Sequence, residues 1–266
     1  MSRTIVVTGA ASGIGAATAR YLRERGDQVI SCDLHDADVI ADLATDAGRS
    51  ALVERVGQLS GGAIDAIVAN AGGGPPETSI QLNFFGAVAT LEGLRPFLAK
   101  SAAPRAVTVS SVAALRPPIS SIVEACLKMD EPSALSAARN FASTRDQASA
   151  DESDIPLALY GCAKHALQHW CRAHAPKAEW AGAGILLNVV ALGFYDTPAA
   201  AYILSDPNNR AQASRMVPLR GAFPGRAEEA AAMLAWCISP ENSQMTGQVL
   251  FADGGLECLA RAEAPR

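Results

Sequence analysis

Tyr160 and Lys164 stand four positions apart inside residues 159–175, a stretch whose pattern predicts a helix, so the phenol and the ammonium share one face. A phenol ordinarily ionises near 10 and is a poor base at neutral pH. A neighbouring ammonium favours the phenolate and brings it toward the range where a proton is exchanged with an alcohol or carbonyl oxygen. The same spacing occurs on solvated helix faces, so the pair needs company. Ser110 and Ser111 supply it, following residues 106–109, an apolar run that reads as a buried strand. A hydroxyl at the carboxyl end of a parallel strand stands where ligands bind in open α/β sheets and can hold a substrate oxygen. A turn or helix-capping serine is the plainer alternative.

A second group of residues points to a dinucleotide. Thr8-Gly9-Ala10-Ala11-Ser12-Gly13-Ile14-Gly15 follows the apolar run Ile5-Val6-Val7 and opens a helical pattern over 14–25. Backbone N–H groups in such a turn, with a helix N-terminus behind them, bind a pyrophosphate; glycine is needed where a side chain would block the phosphates or strain the backbone. The spacing is G-x-x-x-G-x-G rather than G-x-G-x-x-G. Asp33 lies just past the second strand, about twenty residues beyond the turn, where a carboxylate accepts hydrogen bonds from the adenosine ribose and repels a 2′-phosphate. Leu34 follows it and Ser12 stands in the turn, so neither place carries an arginine for that phosphate. The expected cofactor is NAD.

The elements that must position these residues alternate. Strands are expected over 4–8, 28–32, 64–69, 106–109, 185–190 and 248–252, and helices over 14–25, 46–58, 80–99, 159–175 and 227–238. The alternation predicts an α/β fold: a Rossmann-type doubly wound parallel sheet flanked by helices on both faces. Without a repeat or linker, the 266 residues read as a single domain over 1–266. Two segments break the rhythm: an insertion at about 112–156 and a proline-bearing segment at about 193–226 that reads as a substrate lid.

Composition excludes several classes. A net charge of −5 without a basic cluster argues against a nucleic-acid partner. No uncharged apolar run is long enough to span a membrane, and the first strand begins too early to leave room for a signal peptide. Six scattered cysteines without a C-x-x-C pair fit a reducing cytoplasm and leave zinc and redox motifs unsupported. His165 and His169 are four apart but lack an acidic or thiol partner at motif spacing, so no metal is expected.

In order and over almost the whole chain, these residues resemble the short-chain dehydrogenase/reductase family. The matching pieces are Thr8-Gly9-x-x-x-Gly13-Ile14-Gly15, Asp33, Asn70-Ala71-Gly72, Asn83, Ser111, Tyr160-x-x-x-Lys164 and Asp253-Gly254-Gly255. The resemblance implies a catalytic tetrad of Asn83, Ser111, Tyr160 and Lys164. Tyr160 passes the proton, Ser111 holds the substrate oxygen, Lys164 binds the nicotinamide ribose, and Asn83 kinks its helix and holds a relay water. It implies cofactor contacts from Gly9, Ser12, Gly13, Ile14, Gly15, Asp33, Asn70, Gly72, Tyr160 and Lys164. It adds an adenine contact from Asp42 and Leu43 and a carboxamide contact from Thr197. It further implies a homodimer or homotetramer whose partner is a small-molecule secondary alcohol or ketone, the two interconverted by hydride transfer.

Residues 33–43 and the 49 positions separating Ser111 from Tyr160 resemble the 3α-hydroxysteroid dehydrogenase/carbonyl reductase branch of that family. A bulky 3-hydroxysteroid is thereby implied, with another cyclic or aromatic secondary alcohol or diol as the alternative. Ile119, Ile122 and Val123 are candidate lining for a roomy apolar pocket, and Ala199, Ala200, Tyr202, Ile203 and Leu204 a candidate lid. Leu192-Gly193 stands where the family usually has proline-glycine. Phe194 and Tyr195 then either pack against a ring substrate or fill the space beside Leu192. A non-catalytic NAD-binding regulator is a reading of another class, but it needs none of Ser111, Tyr160 and Lys164. A nucleotide-sugar epimerase or dehydratase usually has a longer chain and a different glycine turn.

Overall fold

The computed structural model describes residues 2–147 and 154–261. Strand β1 (Thr4–Thr8) is buried along nearly its whole length, and β4 (Ala66–Ala69) along all of it. Strands with no wet face belong to a parallel sheet covered on both sides. The first half builds it by alternation of strands and helices: β1, α1 (Gly13–Glu24), β2 (Gln28–Asp33), a two-residue edge strand β3 (Val39–Ile40), α2 (Asp46–Ser60), β4, α3 (Ala87–Leu98) and β5 (Arg105–Ser111). The second half adds α6 (Asp154–His174), β6 (Leu186–Leu192), α9 (Ala227–Cys237), β9 (Val249–Ala252) and α10 (Leu256–Ala260). Among the described residues the sheet order is β3-β2-β1-β4-β5-β6-β9, parallel throughout. The order reverses beside β1, the switch point at which such sheets bind ligands.

Two apolar layers cover the sheet. α1 and α9 pack together over Ile5, Val7, Val68, Val107 and Val190. On the opposite face α2, α3 and α6 close over Val6, Ile67, Ala106 and Leu187. The expected helix over 80–99 divides into a π-helical turn, Gln81–Gly86, followed by α3. β3 was outside the sequence expectation because two residues carry no period.

The insertion is helical. Between β5 and α6 run a short 3-10 turn, Val112–Leu115, then α4 (Ser120–Leu127) and α5 (Glu131–Gln147); residues 148–153 of the expected insertion lie outside the described residues. Ile122 and Val123 are buried with Ala134 and Ala138 of α5 and Leu159, Cys162 and Ala166 of α6. Helix α6 also begins earlier than expected, at Asp154, and stops at His174 ahead of Pro176. The segment after β6 folds back as β7 (Tyr195–Asp196), α7 (Ala201–Leu204), α8 (Pro207–Arg215) and β8 (Gly225–Arg226), with β7 and β8 paired in parallel.

Candidate active site

The glycine turn joins β1 to α1. Gly9 and Gly13 have φ of +69° and +52°, a left-handed backbone that favours glycine. A Cβ on Gly15 would lie 1.9 Å from the Gly9 carbonyl oxygen, so that helix start is closed to any side chain. Ser12 is the N-cap of α1 but makes no side-chain capping bond, and no acidic residue occupies the first turn. These N-terminal N–H groups therefore keep the favourable partial charge a phosphate requires. Ile14 packs against the α1–α9 core below. Thr8 latches the next strand: its hydroxyl accepts from the N–H groups of Asn70 and Ala71 at 3.1 and 3.0 Å. Asn70 Nδ2 donates to the carbonyls of Thr8 and Gly9.

Asp33 ends β2 beside this turn. Its carboxylate accepts from the Ala11 N–H at 2.8 Å and the Leu34 N–H at 2.7 Å. Each carboxylate oxygen has more than one acceptor site, so capacity remains for ribose hydroxyls. The Asp33 carbonyl also receives the Ala41 N–H, drawing the 42–43 turn alongside. There Asp42 accepts from the Ala44 N–H at 2.9 Å, while the Leu43 side chain is buried. Thr197 stands over the glycine turn: a Cβ on Gly13 would be 3.4 Å from the threonine Cβ. The residues present fit a dinucleotide from the glycine turn to Thr197.

At the carboxyl ends of β5 and β6, Ser111 and Leu192 are register partners. Ser111 caps the following 3-10 turn, its hydroxyl accepting from the Ala113 N–H at 3.1 Å, and it hydrogen-bonds to the Tyr160 phenol. Lys164, buried, donates from Nζ to the Val109 carbonyl at 2.8 Å and sits 5.6 Å from the centre of the Tyr160 ring. A Cβ on Gly72 would lie 2.8 Å from Asn83 Oδ1 and 3.1 Å from Lys164 Nζ, so Gly72 lets both side chains meet there. Asn83 is fully buried in the π turn, donating to the carbonyls of Gly73 and Ser79 and accepting from the Gly73 N–H. The side chain thus braces the glycine loop after β4.

The electrostatics differ from the sequence expectation. Burial pushes the Tyr160 phenol up to about 12, against the opposing effect of the Ser111 hydrogen bond. Burial also pushes Lys164 down to about 7. In a low-dielectric setting each group resists its charged form, so the lysine does not bring the phenol into the neutral range here.

The lining expectation for Ile122 and Val123 is corrected, and of the two readings of Tyr195 the space-filling one is seen. Ile122 and Val123 are core residues, not lining. Tyr195 donates its hydroxyl to the Ala252 carbonyl at 3.1 Å, and its ring covers Gly225. It therefore fills space next to β9, while Phe194 meets Phe223 edge-on at 6.0 Å. Both also line a cavity of about 390 Å³ at the end of β9, to which Ser111 and Tyr160 do not contribute. His165 stacks on His169 and lies 3.1 Å from the Ala114 carbonyl through Nδ1; among the described residues no cluster of three or more His, Cys, Asp or Glu is placed to hold a metal. Gln168, Gly73 and Arg49, each at the heart of a bond network here, were not singled out by sequence, and Ser110 was read only as a neighbour of Ser111 at the strand end. The first three belong to no motif, and only the register of β5 against α6 brings Gln168 to Ser110.

Residues 3–128 match the family model for short chain dehydrogenases and residues 121–257 that for enoyl-(acyl carrier protein) reductases. The 3-alpha-hydroxysteroid dehydrogenase/carbonyl reductase of Comamonas testosteroni is 34% identical over 97% of each chain. The chain belongs to the short-chain dehydrogenase/reductase family. A cis-4-hydroxycyclohexanecarboxylate dehydrogenase of Sinomonas cyclohexanicum is 32% identical, covering 95% of this chain and 96% of its own. The 3-alpha-hydroxysteroid dehydrogenase of Pseudomonas sp. B-0831, solved with NADH, superposes with a TM-score of 0.85 at 36% identity over 98% of this chain and all of that one. The chain is an oxidoreductase of a family that works with a nicotinamide dinucleotide. Among the described residues no helix is long and apolar enough to cross a membrane.

Proposed function

We propose that this short-chain dehydrogenase/reductase interconverts a cyclic secondary alcohol and its ketone with NAD. The observation that carries the reading is the meeting of Tyr160 with Ser111 at the end of β5, with Lys164 buried beside the ring. Bound NAD would supply the hydride acceptor of alcohol oxidation. Ser111 holds the substrate oxygen and Tyr160 exchanges its proton. Lys164 holds the nicotinamide ribose, and Asn83 fixes the loop carrying Gly72 and Gly73. Asp33 receives the adenosine ribose, Asp42 and Leu43 form the turn for the adenine, and Thr197 meets the carboxamide.

Two relatives that act on ring alcohols, a hydroxysteroid and a hydroxycyclohexanecarboxylate, support a ring substrate. A 3-hydroxysteroid is the leading choice. A smaller cyclic or aromatic alcohol is favoured instead by the commitment of Tyr195, Ile122 and Val123 to packing. The deciding experiment measures kcat/KM with NAD for androsterone, cyclohexanol and 2-butanol. A lead for 2-butanol would reject the ring-substrate reading, and no turnover with any alcohol would favour a regulator that binds NAD without reaction.

A homodimer or homotetramer is part of the proposal. Helices α4 and α5 cover α6, while edge strand β9 and the exposed Trp236 of α9 leave the other flank open. Light scattering that finds only monomer at micromolar concentration would reject it. A reducing cytoplasm fits six free cysteines.

A further inference from the structure

Behind Ser111 and Lys164 lies a buried chain of hydrogen bonds that the roles above do not use. The Ser110 hydroxyl donates to the Lys164 carbonyl at 3.2 Å. A serine has a single proton, so with that proton committed its oxygen accepts, and Gln168 Nε2 donates to it at 2.9 Å. The Lys164 ammonium closes the loop from the other side by donating to Val109. One residue of α6 is thus gripped twice by β5, through its side chain at Val109 and through its backbone at Ser110.

The setting makes this polar chain costly unless it acts. Ser110 is 1% exposed and Gln168 7%, and their neighbours on α6, Ala163, Ala166 and Leu167, are apolar and buried. Alanine and leucine at 110 and 168 would pack a helix on a strand without the desolvation of an amide and a hydroxyl. Apolar contacts are non-directional and tolerate sliding. The hydrogen-bonded chain defines the register of α6 along β5, and α6 carries Tyr160 while β5 ends in Ser111.

We propose that Ser110 and Gln168 are positioning residues, whose clasp on the Lys164 backbone sets where Tyr160 and Lys164 stand relative to Ser111. The inference rests on the oxidoreductase reading above. Its test compares Ser110→Ala, the isosteric Gln168→Met and the double variant with wild type. The substrate is androsterone or cyclohexanol, whichever the wild type oxidises faster with NAD. Each single variant is expected to lose about tenfold in kcat, because small displacements of reacting groups are amplified in rate. KM for NAD is expected to rise by clearly less than kcat falls, since Lys164 shifts with its helix while the glycine turn and Asp33 are untouched. The double variant is expected to be no slower than Ser110→Ala, because the two residues form one chain. Unchanged kcat in the single variants, losses that multiply in the double variant, or KM for NAD rising in step with the fall in kcat would each overturn the proposal. Absence of turnover in the wild type would instead overturn the ring-alcohol reading, and the positioning role with it.

Discussion

Lys164 holds its ammonium 5.6 Å from the centre of the Tyr160 ring and donates to the Val109 carbonyl at 2.8 Å. Burial takes that ammonium down to about 7, well below the ordinary lysine value of 10.5. Between those values the unfolded chain binds a proton that the folded chain has released, so stability rises with pH through this window. Buried thiols oppose it only higher up: Cys32, Cys126 and Cys237 are pushed from 9.0 up to about 12, so their contribution declines above about 9. Without added dinucleotide, the melting temperature of the wild type relative to Lys164→Met is expected to climb between about pH 7 and 8.5. A difference independent of pH would reject an ammonium destabilised by burial.

A phenol pushed to about 12 is protonated at neutral pH and ready to donate. Ketone reduction uses that form, whereas alcohol oxidation must move a proton off the substrate. Oxidation is therefore expected to quicken as pH rises above 7 and reduction to stay level or slow. Tyr160→Phe removes only the hydroxyl and is expected to lower turnover in both directions by at least about a hundredfold, with NAD affinity nearly intact. Half of the wild-type kcat in that variant would sink the assignment.

Asp33 joins the cofactor question to the fold, because its carboxylate accepts from Ala11 in the glycine turn. Asp33→Ala would remove charge and brace together. Asp33→Asn keeps an acceptor and removes the charge, so it isolates electrostatics. The wild type is expected to prefer NAD to NADP by kcat/KM, and Asp33→Asn to narrow that preference as repulsion of the 2′-phosphate disappears. Equal efficiency with both cofactors in the wild type would refute the assignment.

The parallel sheet was legible because its strands are short apolar runs between turn signals, and the glycine turn because its spacing reflects backbone geometry. Tyr160, Lys164 and Ser111 were legible as motifs. The π turn at Gln81–Gly86 was not, since the apolar period continues through it into α3. The insertion broke the strand–helix rhythm, and its alanines and charge suited a packed helical segment, but the bounds of α4 and α5 were not legible. Its packing depends on small residues such as Ala134 and Ala138 lying close to α4 and α6, which periodicity expresses weakly. Ile122 and Val123 looked like pocket lining because apolarity alone does not say which side of a helix meets the core. The clasp of Ser110 and Gln168 depends on tertiary register and leaves no trace in spacing.

One guanidinium ties the insertion to the cofactor side. Arg49 donates to Glu131 at the start of α5 at 2.6 and 3.2 Å, and also to the carbonyls of Leu43, Ala44 and Gln81. Arg49 is nearly buried, whereas Glu131 keeps some exposure, which discounts the ion pair. Glu131→Ala is expected to destabilise the protein by about 1–2 kcal/mol, because the guanidinium then keeps, among the described residues, only the exposed Asp46 as a carboxylate partner. Urea unfolding with an unchanged slope measures this. A loss below about 0.5 kcal/mol, the size of an ordinary surface change, would show that the pair does not dock the insertion.

Tyr202 in α7 is 65% exposed, an unusual place for an aromatic ring, yet its phenol lies near enough to Tyr160 to act on its charge. The segment carrying it is seated on the cofactor side: Thr197 rests over Gly13, and a Cβ on Gly73 would lie 3.7 Å from the Ala199 Cβ. A ring substrate held by Ser111 and Tyr160 would therefore extend toward Tyr202 and cover part of its open face. Covering about 50 Å² of apolar surface at about 25 cal/mol per Å² is worth about 1.3 kcal/mol, roughly a tenfold change in binding. A small acyclic alcohol does not reach that far and gains little. Tyr202→Ala is accordingly expected to raise KM for androsterone or cyclohexanol by about tenfold, leave KM for 2-butanol within about twofold, and leave kcat close to wild type for both. Parallel increases for ring and acyclic substrates would mean that Tyr202 acts on the loop in general. A fall in kcat with KM unchanged would instead make its electrostatic effect on Tyr160 the part that matters.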